Sequence, residues 1–321
     1  MSNVLVTGIG GNVGYGILRN IKNSFDDIAL TGTNTTPISA GNHLCNAVYS
    51  VPFATDSSYI PAIKHICDAE QIDLIIPSTD YESYILAKNA DELPCVAVSP
   101  PDTTKIFLDK YLSFTTFRSM GLAFAQSILP ADFRKDFDSY IVKPREGRGS
   151  RNLFYNPPNP EKFSDEYIIQ PLLTGKEITT AFYVTKQNEL HGMITFEREL
   201  ASGATQTCEV IMDHDEELKQ YILKLISKLQ IRGACNIQCI VTEQGIMPFE
   251  VNCRISGTNS IRSQFGFEDV RYTIEEYLYN KTPTPTAISK GCAIRILHDI
   301  IYPGIKLNEV KNNSDNFYIN E

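Results

Sequence analysis

The stretch FEVNCRISGT, residues 249–258, carries an acid, an amide and a guanidinium at alternate positions: Glu250, Asn252 and Arg254. On a β-strand, residues two apart share a face, so these three side chains point the same way. Carboxylate and amide oxygens are hard donors suited to magnesium. A guanidinium holds phosphate through two parallel hydrogen bonds. Gln238, in NIQCIV, lies on the preceding strand candidate. With residues 242–245 as the turn of a hairpin, Gln238 falls close to Glu250. The same pattern also describes a half-exposed hairpin whose polar side faces water.

Other residue types add to the constellation. Lys110 follows Asp109 at the front of a helical segment expected over residues 104–120. Lys143 ends the short strand YIVKP, where a lysine needs a partner for its charge. The loop REGRGSRN follows at once, and Gly147 and Gly149 let its backbone N–H groups approach phosphate oxygens. Glu177, in LTGKEIT, opens a strand from which it can accept hydrogen bonds from ribose hydroxyls. Taken singly, each of these is most simply a solvated charge. Their order along the chain is the specific signal.

The elements that must position them fall into two halves. Residues 1–101 alternate strand and helix signals: strands at 4–7, 28–31, 72–78 and 95–99, helices over 59–69 and 81–90, and an apolar stripe at Val13, Ile17, Leu18 and Ile21. This is a doubly wound α/β pattern. SPPD, residues 99–102, interrupts it and marks the boundary to a second domain, 102–321. There, strands are expected at 140–144, 167–170, 177–184, 190–197, 205–211, 234–241, 246–251 and 291–297. Helices are expected over 215–229 and 270–279. The polar tail after residue 310 carries no strong structural signal.

The first loop, LVTGIGGNVGYGI, spaces Gly8, Gly11 and Gly14 as in dinucleotide-binding folds. Such a site places an acid at the end of the second strand to hold the ribose. Here that strand runs into TGTNTT, with neither an acid nor an arginine. The glycines are then read as a tight strand-to-helix turn, and an NAD(P)-dependent oxidoreductase or epimerase becomes the lesser alternative.

The 321 residues are 42% hydrophobic and carry a net charge of −9, which argues against a broad nucleic-acid-binding face. No apolar run reaches membrane-spanning length, and a cytoplasmic location is expected. The eight cysteines include no C-x-x-C pair, so reduced, largely buried thiols are expected rather than a metal cluster.

By the order and type of these residues, the chain resembles the ATP-grasp superfamily, most closely the synthetase domains of the carbamoyl-phosphate synthase large subunit and their short relatives. The resemblance implies a Rossmann-like domain preceding an α+β ATP-grasp fold, with a small lid subdomain at about 122–172. It identifies Lys110 and Lys143 with the phosphate-binding lysines, and Gly147, Gly149 and Ser150 with a mobile glycine-rich lid. Residues 168–179 resemble the adenine-binding linker, with Gln170, the backbone of Leu172 and the ribose acid Glu177. Gln238, Glu250 and Asn252 correspond to the metal ligands, and Arg254 to the arginine that holds the transferred or acyl phosphate. Arg198, Gly203 and Thr205 face the same cleft in that topology and are candidates for substrate or phosphate contact. Cys253 replaces the proline of the familiar N-P-R, on the opposite face of the strand.

The resemblance further implies ATP with magnesium or manganese as cofactors, and a small carboxylate and an amine as substrates. The expected activity is a ligase that activates the carboxylate as an acyl phosphate, with Lys143 and Arg254 as catalytic groups. It also allows a homodimer. The remaining alternative is a non-catalytic nucleotide-binding subunit that keeps the fold.

Overall fold

The computed structural model describes residues 2–147, 149 and 151–320. The N-terminal half builds β1 (Ser2–Val6), α1 (Asn12–Ser24), β2 (Ile28–Asn34), β3 (Ala47–Ser50), α2 (Tyr59–Glu70), β4 (Leu74–Ile76), α3 (Asp80–Lys88) and β5 (Cys95–Val96). Its five strands form a parallel sheet in the order β3-β2-β1-β4-β5. The strands read as apolar runs because helices cover both faces. β3 is a strand that the polar residues around it conceal in the sequence.

The glycine-rich loop closes β1 onto α1. Gly8 has a φ of +59°, and a Cβ on Gly14 would stand 2.5 Å from the Gly8 carbonyl oxygen. Those positions therefore exclude larger residues for reasons of chain geometry alone.

The helix expected over 104–120 is two helices, α4 (Pro101–Leu108) and α5 (Lys110–Ser119). Asp109 breaks them with extended backbone. Its side chain caps α5 by accepting the N–H groups of Tyr111 and Leu112, at 2.9 and 3.2 Å. The break makes Lys110 the first residue of α5 and turns it inward, where it is buried.

Next comes a three-stranded antiparallel sheet, ordered β7-β6-β8 from β6 (Tyr140–Pro144), β7 (Phe154–Tyr155) and β8 (Tyr167–Pro171). Phe133, Val142 and Ile169 form its own small core. The main sheet of this half is antiparallel. It uses β9 (Lys176–Val184), β10 (Leu190–Ala201), β11 (Ala204–Ile211), β12 (Gly233–Thr242), β13 (Gly245–Asn252) and β14 (Cys292–Ile294), in the order β13-β12-β9-β10-β11-β14. On one face, Cys235, Ile237 and Cys239 of β12 pack against α6 (Asp215–Lys228), whose Leu218, Ile222 and Leu225 are fully buried. The other face of β12 and β13 looks into a cleft.

β14 is shorter than the strand expected over 291–297. The tail is also more structured than its polarity suggests: β15 (Asp299–Ile301) pairs with β16 (Tyr318–Asn320), and the N–H of Asn313 donates to the carbonyl of Cys45. The segment expected as helix over 270–279 is α8 (Asp269–Thr273), preceded by a short α7 (Asn259–Arg262) and continued by a π turn, Ile274–Leu278. The two halves share one apolar cluster, in which Ile17 and Leu18 of α1 belong with Phe196, Ile255 and Phe267. Among the described residues no helix is long and apolar enough to cross a membrane.

Candidate active site

A cleft of about 700 Å³ opens between the N-terminal domain, the three-stranded sheet and the main sheet. That volume lies within the range of small-molecule sites. Gln238 pairs with Glu250 across the hairpin, but Cys239 pairs with Pro248, so Phe249 is the extra residue of a β-bulge. The bulge lets Phe249 and Glu250 both line the cleft, which strict alternation forbids.

The expected metal set forms one hydrogen-bonded chain. Gln238 Nε2 donates to Asn252 Oδ1 at 3.2 Å, and Asn252 Nδ2 donates to Glu250 Oε1 at 3.1 Å. Glu250 Oε2 faces Lys110 Nζ at 3.6 Å. Burial would raise the Glu250 pKa, but Lys110 and Lys143 outweigh it and hold the carboxyl below its usual range. The group is therefore ionised at neutral pH, with one oxygen turned to the cation and one to an amide. A single carboxylate with two amide oxygens suits magnesium, which keeps waters and takes phosphate oxygens as further ligands. Among the described residues no cluster of three His, Cys, Asp or Glu offers an all-protein metal cage.

Lys143 is buried at the end of β6, with Nζ 5.1 Å from the centre of the Phe249 ring. Burial and the nearby Lys110 charge lower its pKa to about 7, against the opposing pull of Glu250 and Glu177. Two strong contacts fix the lysine-bearing segments. Arg145 Nη2 meets Asp109 Oδ2 at 2.5 Å, and the N–H of Lys110 donates to the Arg145 carbonyl at 3.0 Å. The cap of α5 and the end of β6 are thus one unit. Arg145 and Asp109 are positioning residues that the sequence presents only as surface charges.

Several expected site residues already have partners inside the protein. Arg198, expected to meet substrate or phosphate, donates through Nε and Nη2 to Glu177 Oε1 at 3.0 and 2.5 Å. It also donates to Gln238 Oε1 at 2.8 Å and to Thr205 Oγ1 at 3.4 Å. It therefore acts as a strut, and it lines the cleft together with its partner Thr205. Glu177 keeps Oε2 without a partner among the described residues, open to a ribose hydroxyl. Gly203 lies against the lid: a Cβ there would stand 2.6 Å from the Gly149 carbonyl oxygen.

The residues expected at the adenine also have internal partners. Gln170 is buried, donates to Ser127 Oγ at 2.8 Å and lines the cleft. The Leu172 N–H, expected to read the adenine edge, donates to the Ser139 carbonyl at 2.9 Å. The next amide, Leu173, makes no hydrogen bond among the described residues, and Leu173 and Ile240 both line the cleft. Gly147 and Gly149 line the cleft as well, whereas Ser150 lies outside the described residues.

Arg254 faces the cleft as expected, but Nε and Nη2 hold Asp80 Oδ2 at 3.2 and 2.9 Å. Asp80 was hidden in the sequence because an acid in the first turn of a helix is ordinary. The loop after Arg254 is held by Arg262. This residue is fully buried, ion-paired with Asp269 and hydrogen-bonded to Ser256 Oγ at 2.7 Å and Thr258 Oγ1 at 2.8 Å.

Residues 107–258 match the family described as ATP-grasp domain, and residues 4–99 match the family described as PylC-like, N-terminal domain. No curated protein sequence gives a significant match. Among solved structures, the chain is similar to N5-carboxyaminoimidazole synthetase from Staphylococcus aureus complexed with ADP. The two are 13% identical over 92% of this chain and 82% of that one, with a TM-score of 0.76. It is similar to N5-carboxyaminoimidazole ribonucleotide synthetase from Thermus thermophilus, at 11% identity over 98% and 92% and a TM-score of 0.71. It is also similar to the biotin carboxylase domain dimer of Hydrogenobacter thermophilus 2-oxoglutarate carboxylase in complex with MgADP, ADP and bicarbonate. There the identity is 13% over 89% of this chain and 71% of that one, and the TM-score is 0.71. The expected closeness to carbamoyl-phosphate synthase is a looser fit than these. By the two family matches, the chain joins a PylC-like N-terminal domain to an ATP-grasp domain.

Proposed function

We propose that the protein is an ATP- and magnesium-dependent ligase that activates a small carboxylate as an acyl phosphate for attack by an amine. The observation that carries this reading is the meeting of Glu250, Lys110 and Lys143 in one cleft with the Gln238–Asn252 amides. Two lysines beside one ionised carboxylate suit a polyphosphate that brings a metal with it. When bound, magnesium would be held by Glu250 with Asn252 and Gln238, and would neutralise charge on the ATP phosphates.

The chain's own groups do the rest. Lys110 and Lys143 bind phosphate oxygens. Leu173 N–H and the apolar wall of Ile240 and Ile141 receive the adenine, and Glu177 Oε2 takes a ribose hydroxyl. Arg254, held by Asp80, faces the carboxylate as the γ-phosphoryl group moves onto it and ADP leaves. The neutral amine nitrogen then bonds to the acyl carbon, the C–O bond to phosphate breaks, and inorganic phosphate departs with the proton that the nitrogen loses. Exclusion of water protects the acyl phosphate meanwhile. We include a homodimer in this reading, on the strength of the dimeric relative above; the mass in solution tests it.

The direct test is magnesium-dependent ADP formation with pooled amino acids, peptides and small carboxylic acids. ADP release that needs both magnesium and an added carboxylate supports the reading. Binding of NAD or NADP without magnesium-dependent ATP binding contradicts it.

A further inference from the structure

β14 is the outer strand of the main sheet, and among the described residues it pairs with β11 alone. The carbonyl of Gly291 accepts the N–H of Val210, and the N–H of Arg295 donates to the carbonyl of Gln206 at 2.8 Å. In an antiparallel ladder, residues bonded in this way alternate with residues whose N–H and C=O point away from the neighbour. Cys292 and Ile294 stand opposite Glu209 and Thr207 in the alternate positions, so their backbone groups point out of the edge of the sheet. The Arg295 bond carries the ladder one residue past β14, and Ile296 follows in the same alternation.

This edge is bare and apolar. Ile294 is 72% exposed, Ile296 66% and Leu297 95%. β15 follows in the chain, and its partner β16 adds Tyr318 and Ile319, both exposed. From Cys292 to Asn320, only Val310 is buried. Open edges invite a further strand, and proteins blunt them with charge, proline or a cover. Cys292, Ile294 and Ile296 carry neither charge nor proline.

We propose that β14 pairs with β14 of a second copy of this chain, about a two-fold axis at Ile294, so that two main sheets continue into one. A two-fold axis presents the same edge from both sides and sets the strands antiparallel. With Ile294 opposite Ile294, Cys292 of each copy stands opposite Ile296 of the other, and every outward-pointing position gains a partner. Charge permits the approach. The chain carries −9 overall, whereas residues 290–320 hold Lys290, Arg295, Lys306 and Lys311 against Asp299, Glu309 and Asp315. A stable pair buries about 800 Å² on each partner, around an apolar centre. A bare Leu or Ile offers on the order of 100 Å², so Ile294, Ile296, Leu297, Tyr318 and Ile319 supply such a centre. The inference is independent of the ligase chemistry and gives the homodimer included in that reading its surface.

The test is the mass of the full chain by sedimentation equilibrium, in the parent and two variants. The parent is expected to show twice the chain mass at micromolar concentration. Ile294→Lys sets like charges against each other at the axis and is expected to raise the dissociation constant by about 100-fold or more, with circular dichroism unchanged. Ile294→Cys puts two thiols at a hydrogen-bonded pair position, with Cα atoms about 5.5 Å apart, within the span of a disulfide. Oxidised glutathione is expected to join that variant into a covalent dimer and to leave the parent unjoined, because its Cys292 stands opposite Ile296. A monomeric parent, or an assembly larger than two, overturns the proposal. So does a dimer that Ile294→Lys leaves intact, or an Ile294→Cys dimer that oxidation does not join. None of these readouts involves ATP, so failure here and failure of the ligase reading are distinct.

Discussion

Lys110 Nζ stands 3.6 Å from Glu250 Oε2, so the cation that opens α5 and the acid of β13 face each other across the floor of the cleft. The pair holds Glu250 ionised. It also stores the two charges that a metal-bound polyphosphate would separate, the cation turning to phosphate and the carboxylate to metal.

Replacing that cation tests the pairing. Lys110→Met keeps the side chain's length and removes its charge. The Glu250 pKa then rises, so magnesium-dependent ATP binding is lost at a higher pH as the solution is acidified. Turnover should fall about 10²- to 10³-fold, the usual loss for one preorganised charge partner. Binding isotherms from pH 4 to 8 check the shift; an unmoved acid limb contradicts it.

Lys143 sets the behaviour above neutrality. Its pKa of about 7 leaves it half neutral before ATP arrives, and phosphate charge will raise that value. ATP binding therefore takes up a proton above pH 7 and weakens with rising pH, by up to about tenfold per unit. Lys143→Arg, charged throughout, should flatten the slope. The same group has an opposite effect on stability. Between about 7 and its ordinary value of 10.5, the unfolded chain binds more protons here than the folded one. This group's contribution to stability therefore rises with pH across that window. A slope in ATP affinity that persists in the arginine variant removes Lys143 as its source.

Arg198 is a strut between Glu177, Gln238 and Thr205. Arg198→Lys cannot reproduce the fork. The KM for ATP should rise about tenfold, with kcat less affected, because Glu177 and Gln238 lose their orientation while the lysines stay in place. Equal losses in kcat and kcat/KM would mean that Arg198 meets the reacting groups after all.

Gly16 in α1 provides a test of packing with a sign. A glycine-to-alanine change inside a helix ordinarily stabilises by about 0.5–1 kcal/mol. At Gly16 the new Cβ would stand 2.1 Å from Asn259 Oδ1. Asn259 is fully buried and cannot yield cheaply, since it donates to the carbonyls of Val13 and Ser256 and accepts from Asn20. Gly16→Ala should therefore lower the melting temperature. An increase would show that the two domains do not pack through this contact.

The strands of the main sheet and the pairing of Gln238 with Glu250 were legible in the sequence, because alternation and hairpin turns are local signals. The break at Asp109 was not, since Thr104 to Met120 keeps helical apolar spacing through it, and only the capping bonds and Arg145 reveal the interruption. The bulge at Phe249 was hidden for the same reason: strand alternation carries no mark of an inserted residue. Asp80 and Arg254 come from different domains, and Asp80 acquires meaning only where the fold brings both to one cleft. The internal partners of Arg198 and Leu172 were equally invisible, because residue type says what a group can bind and not what already occupies it.

Glu250 carries the central claim, and equilibrium ATP binding with and without magnesium, in the parent and in Glu250→Gln, tests it most directly. The variant keeps the volume and removes the charge, so its melting temperature should stay close to the parent's. The expected result is magnesium-dependent ATP binding in the parent, loss of that magnesium dependence in the variant, and no binding of NAD by either. Parental, magnesium-dependent affinity in Glu250→Gln would contradict the metal site at this hairpin, and with it the ligase built around it.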